Sequence, residues 1–153
     1  MKFEIPEPMK LEHDELHADL VKATQVGGRT GDAAKAVAKV LHHHFVKEEA
    51  YALPPLGLLA PLAAGRFEPE MGAVLELTDR LEAELPQMLA EHAQIVVALQ
   101  LLIAAATSEN RPDVVRFAEQ LLLHAKSEEE VAYPAALLVG REVRARLAVR
   151  RAA

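Results

Sequence analysis

At 153 residues, 51% of them apolar, the chain is long enough to bury a real core and suits a single domain over 1–153. Its 17 basic and 23 acidic residues give a formal charge of −6, which excludes a general nucleic-acid or anionic-membrane binder. The absence of Cys excludes a disulfide framework and a thiolate metal site, so any metal must be held by His and carboxylate.

Aromatic residues make up only 4% of the chain while Ala and Leu abound, a mixture that favours helix over sheet and predicts an all-α fold. The opening Met1 to Pro8 lacks an apolar run of signal-peptide length. No stretch has the 18 uninterrupted apolar residues of a membrane span, so a cytoplasmic protein off the membrane is expected.

In chain order, a first helix is expected from about Met9 to Gln25, closed by Gly27-Gly28, with Leu16, Leu20, His13 and His17 on its apolar side. A second should follow Asp32 as N-cap and run to about Leu53, where Pro54-Pro55 stops it; Val37, Leu41, His44, Glu48 and Tyr51 share its inner face. Residues 54–85 read as an apolar connecting insert, helical from Pro69. Pro86 then starts or bends a third helix that continues to about Ser108. The fourth begins near Pro112 and turns Phe117, Leu121, His124, Glu128 and Val131 inward until Pro134 ends or bends it. Residues 135–153 form a short helix or solvated tail with a basic end.

Two stretches about eighty residues apart repeat one pattern. His44 is followed by Glu48 and Pro54, and His124 by Glu128 and Pro134. Each is preceded, 31 or 32 residues earlier, by a lone histidine in a Glu-His doublet: Glu12-His13 and Glu91-His92. A His and a Glu four residues apart on a helix point from the same face. The repeat therefore implies an approximate two-fold axis through a four-helix bundle, each half giving one lone His and one His-x-x-x-Glu pair to a shared centre. Burying these groups is costly unless they are paired or coordinated, and imidazole with carboxylate suits iron, manganese or zinc.

These motifs together, over about Leu11 to Leu138, resemble the hemerythrin-like, His-His-Glu cation-binding family. The resemblance implies an antiparallel up-down four-helix bundle, ligand-bearing over about 9–138, with extra connecting and C-terminal helical segments. It implies two iron ions with an oxo or hydroxo bridge, ahead of zinc or manganese. His13, His44, His92 and His124 would be terminal ligands, and Glu48 and Glu128 the bridges. Marine members carry a further His on the third helix where this chain has Val96; here the additional His17 lies on the first. If His13, His17 and His44 serve one iron, the second, on His92 and His124, keeps a position for an external ligand.

The function expected from the resemblance is binding or sensing of O2, NO or peroxide by a monomer or small homo-oligomer. The alternatives are an enzyme consuming peroxide or reducing NO, an iron store or donor, and a metal-free interaction module. His42 and His43 point away from His44 around the helix. Glu12, Glu49, Glu91 and Glu129 are expected to be solvated, with Glu129 keeping a minor claim as a ligand. Tyr51 and Met88 are read as core residues, Tyr51 with a lesser claim to a place beside the bridge.

Overall fold

The computed structural model describes residues 3–152, and every regular element among them is helical. We label the α-helices α1 (Glu7–Thr24), α2 (Gly28–Lys47), α3 (Leu59–Ala63), α4 (Val74–Ser108), α5 (Pro112–Ser127) and α6 (Tyr133–Ala152). The chain folds as a helical bundle. Its main core draws Leu16 and Leu20 from α1, Val37 and Leu41 from α2, Ile95, Leu99 and Leu102 from α4, and Phe117 and Leu121 from α5. These residues recur at three- and four-residue steps, as a buried helical stripe requires.

The turn between α1 and α2 uses two glycines with positive φ, Gly27 at 74° and Gly28 at 59°. Glycine occupies that region without the steric cost any side chain would add. The expected cap at Asp32 is corrected: α2 starts four residues earlier, and Asp32 is exposed within its first turns. The orphan N–H groups of Arg29 and Thr30 instead donate to the carboxylate of Glu109, each at 2.9 Å, as does the Thr30 hydroxyl. A carboxylate at the end of α4 thus neutralises the positive end of α2.

Helix α4 begins at Val74, runs 35 residues and passes through Pro86 without a break. The missing N–H costs little there, because Pro86 and Glu82, whose carbonyl would have accepted it, are both exposed and water can serve the carbonyl. In length and composition α4 is apolar enough to cross a membrane. Its stripe of Leu81, Met88, Ile95, Leu99 and Leu102 is buried inside the bundle, while Leu89, Val97 and Leu101 are exposed.

Proline does not end the fourth helix either. In both halves, five residues starting at the repeated glutamate form a π-turn, Glu48–Ala52 and Glu128–Ala132. The N–H of Leu53 reaches back five residues to the carbonyl of Glu48 at 2.9 Å, and the N–H of Tyr133 likewise bonds to Glu128. Such a turn holds an extra residue, so the proline that follows meets a helix already loosened. After Pro54 the chain leaves through a 3₁₀ turn, Pro54–Leu58, into α3; after Pro134 it continues as α6. The insert and α6 pack on each other through Leu58, Leu62, Met71, Val74, Val139 and Val143.

Candidate metal centre

Six of the residues singled out in the sequence converge. His13 on α1, His44 on α2, His92 on α4 and His124 on α5, with Glu48 and Glu128 at the π-turns, are all at most 4% exposed. They lie between the main core and a second apolar cluster containing Tyr51, Leu53, Leu81, Met88 and Tyr133. Phe45 stacks on His13 with ring centroids 4.5 Å apart.

The donor atoms form two groups, His44, Glu48, His92 and Glu128 in one and His13, His124 and Glu128 in the other, with the atoms of each group within 4.8 Å of one another. Glu128 faces both: Oε1 lies 3.1 Å from His13 Nε2 and 2.9 Å from His124 Nε2, while Oε2 lies 3.4 Å from His92 Nε2. Glu48 mirrors it, with Oε1 3.0 Å from His44 Nε2 and Oε2 3.7 Å from His13 Nε2. Each carboxylate therefore turns one oxygen toward each histidine pair.

Two expectations are corrected by this placement. The histidines pair across the halves, His13 with His124 and His44 with His92, rather than His13 with His44. The lone histidine of each half meets the His-x-x-x-Glu histidine of the other, because the two-fold relation interleaves the halves. His17 stands outside both groups and is exposed. The buried line of α1 runs through His13, Leu16, Leu20 and Ala23, and His17 sits about 40° to its side, at the surface.

All four glutamates expected to be solvated face a histidine. Glu91 Oε2 lies 2.8 Å from His44 Nδ1 and Glu129 Oε1 2.9 Å from His92 Nδ1. More loosely, Glu12 Oε1 lies 3.3 Å from His124 Nδ1 and Glu49 Oε1 3.6 Å from His13 Nδ1. A carboxylate accepting the Nδ1 proton, as Glu91 does from His44 and Glu129 from His92, fixes the tautomer and leaves the Nε2 lone pair for a cation in the centre. The signal was present in the sequence, in the duplicated doublets Glu-His and Glu-Glu. Lys47 holds Glu91 in place at 2.6 Å.

Tyr133 is the residue that sequence reasoning missed. Its hydroxyl donates to Glu48 Oε1, and its oxygen lies 3.3 Å from His44 Nε2 and 3.2 Å from His92 Nε2. On a regular helix Tyr133 would point about 140° away from Glu128; the π-turn brings it round to the same side. The same turn swings Val131, expected inward, out to 65% exposure. Tyr51 is fully buried but turned away from the centre, donating to Glu84 at 2.7 Å and touching Met88 Sδ at 3.6 Å.

Electrostatics match a cation site. Burial opposes the charged form of His92, yet the hydrogen-bonding carboxylates of Glu128 and Glu48 outweigh it and push His92 up to about 10. Burial likewise works against charge on Glu128, but His124, His13 and His92 hold its carboxyl well below the usual range. Burial, with the neighbouring Glu48 and Glu128 carboxylates, pushes the Tyr133 phenol up, and its hydroxyl donates to Glu48.

The donor set passes a test of fit for a metal. Glu48 Oε2, His124 Nε2 and His13 Nδ1 are buried without a hydrogen bond; Glu48 Oε2 lies 3.7 Å from His13 Nε2, and His124 Nε2 lies 2.9 Å from Glu128 Oε1. Buried polar atoms left unpaired are costly, and a cation held among the His and Glu donors would satisfy Glu48 Oε2 and His124 Nε2. These buried His and Glu groups could hold metal ions. No protein-family model, curated protein or solved structure matches the chain.

Proposed function

We propose that the chain is a hemerythrin-like protein holding two iron ions, one on His13 and His124 and one on His44 and His92, with Glu48 and Glu128 bridging them. The observation that carries this reading is the presentation by both carboxylates of one oxygen to each histidine pair. An antiparallel up-down bundle agrees with it. Lys10 near the start of α1 meets Glu49 beyond the end of α2, Arg29 at the start of α2 meets Glu109 beyond the end of α4, and α6 reaches back to the start of α4 through Arg144 and Asp79.

The function we infer is binding or sensing of a small ligand such as O2, NO or peroxide. Iron, when bound, supplies the affinity for such ligands and the electrons for their chemistry. The protein supplies the rest. Carboxylates orient the imidazoles, two apolar layers restrict water, and burial keeps the donor set from relaxing onto solvent.

The test is elemental analysis of protein purified without added metal, joined to optical spectra before and after O2 and peroxide. Two irons per chain and a spectrum that reverses when the ligand is withdrawn are expected. Steady consumption of peroxide or NO would instead make the centre an enzyme's, and protein without metal that takes up none would dispose of the reading.

A further inference from the structure

We propose that Tyr133 is a fifth protein donor to the ion on His44, His92, Glu48 and Glu128, making the two halves of the centre unequal and directing an external ligand to the ion on His13 and His124. The inference rests on the metal reading above and deepens it.

Neighbouring donors around an ion with bonds of about 2.0–2.2 Å stand roughly 3 Å apart. The Tyr133 oxygen keeps such separations from its neighbours, 3.3 Å to His44 Nε2 and 3.2 Å to His92 Nε2, comparable with 3.0 Å between His44 Nε2 and Glu48 Oε1. A phenol that only satisfied Glu48 would need no approach to two imidazole nitrogens as well. Tyr133 is 1% exposed and stacks on His92 at 5.6 Å, so its oxygen faces the cluster. On binding, the phenolic O–H bond breaks, its electron pair goes to the oxygen–metal bond, and the proton leaves to solvent. No oxidant or reductant is consumed.

The other half has no such donor. The repeat places Leu53 where the second half has Tyr133, and leucine cannot coordinate. His13 and His124 share only the two carboxylates, and their outer partners Glu49 and Glu12 are the looser pair, at 3.6 and 3.3 Å. On this side a surface groove of about 620 Å³ between α1 and α2 includes His13, Leu20 and Phe45 in its lining. Lys10, Lys35 and Lys39 line it together with Asp14 and Glu49, which pair with Lys10.

The experiment uses ferrous ion as the probe. Wild type, Tyr133→Phe and Tyr51→Phe are loaded under nitrogen, their iron is counted, and each is oxidised with ferricyanide and examined by visible-excited resonance Raman. Tyrosinate ring modes on two-iron wild type that persist in Tyr51→Phe are expected, and since the chain has two tyrosines they assign the ligand even if Tyr133→Phe fails to fold. A folded Tyr133→Phe should lose the modes and release one iron to a chelator about tenfold faster. Two-iron wild type without the modes, or modes lost in Tyr51→Phe, would overturn the proposal and leave the metal reading standing. Wild type that takes up no iron would overturn both.

Discussion

Glu91 Oε2 accepts from His44 Nδ1 at 2.8 Å, so the residue preceding one half's lone histidine orients the other half's paired histidine. Burial opposes the Glu91 charge, but Lys47, His44 and Gln87 together lower it to about 2, so it is ionised at neutral pH. Outer carboxylates of this kind typically contribute 10–100-fold in metal affinity. Glu91→Ala should therefore weaken one of two iron sites by about tenfold or more, read by chelator competition, while the other keeps its affinity. An unchanged competition curve would mean that Glu91 only anchors Lys47.

Glu128 is the one residue common to both donor groups. Glu128→Ala should bring iron content from two per chain to near zero, whereas His17→Ala should leave it at two, both by elemental analysis. Loss of metal in His17→Ala would return that histidine to the ligand set.

Metal uptake should release protons. His92 is held at about 10 by Glu128 and Glu48 against burial, so near pH 8 it carries a proton that a cation must displace. Apparent affinity should climb as pH rises toward that value, and adding ferrous ion to weakly buffered protein should acidify the solution. Uptake with no pH change would contradict proton release from both His92 and Tyr133.

Glu109 gives a separate, metal-independent pH effect. The Thr30 hydroxyl, followed by the backbone N–H groups of Thr30 and Arg29, lowers its carboxyl from 4.5 to about 2. A lowered value stabilises the fold above the unfolded-state pKa and loses that contribution as pH falls through the folded one. Glu109→Ala should melt below wild type at pH 7, and the gap should close between about pH 4.5 and pH 2. A gap independent of pH would mean that the side chain acts by packing alone.

Much of this was legible in the residues. The buried stripe of each helix and the six convergent His and Glu residues follow from apolar spacing and from one motif written twice. What was missed has a shared cause. A periodicity of 3.6 residues per turn assumes an unbroken α-helix, and the π-turns at Glu48 and Glu128 break it, rotating Tyr133 in and Val131 out. Pairing across the halves depends on how the helices stand beside one another, which no single helix encodes. His17 was misplaced because a lateral offset of about 40° on α1 is enough to move a side chain from the core line to the surface. The cap on α2 was unreadable locally, since Glu109 lies some eighty residues further along the chain.

A crystal structure of the iron-loaded protein, with anomalous data recorded at the iron edge, tests the central claim most directly. Two peaks between Glu48 and Glu128 are predicted, one against His13 and His124 and the other against His44 and His92. A single peak, peaks elsewhere, or His13 and His44 on one ion would contradict it.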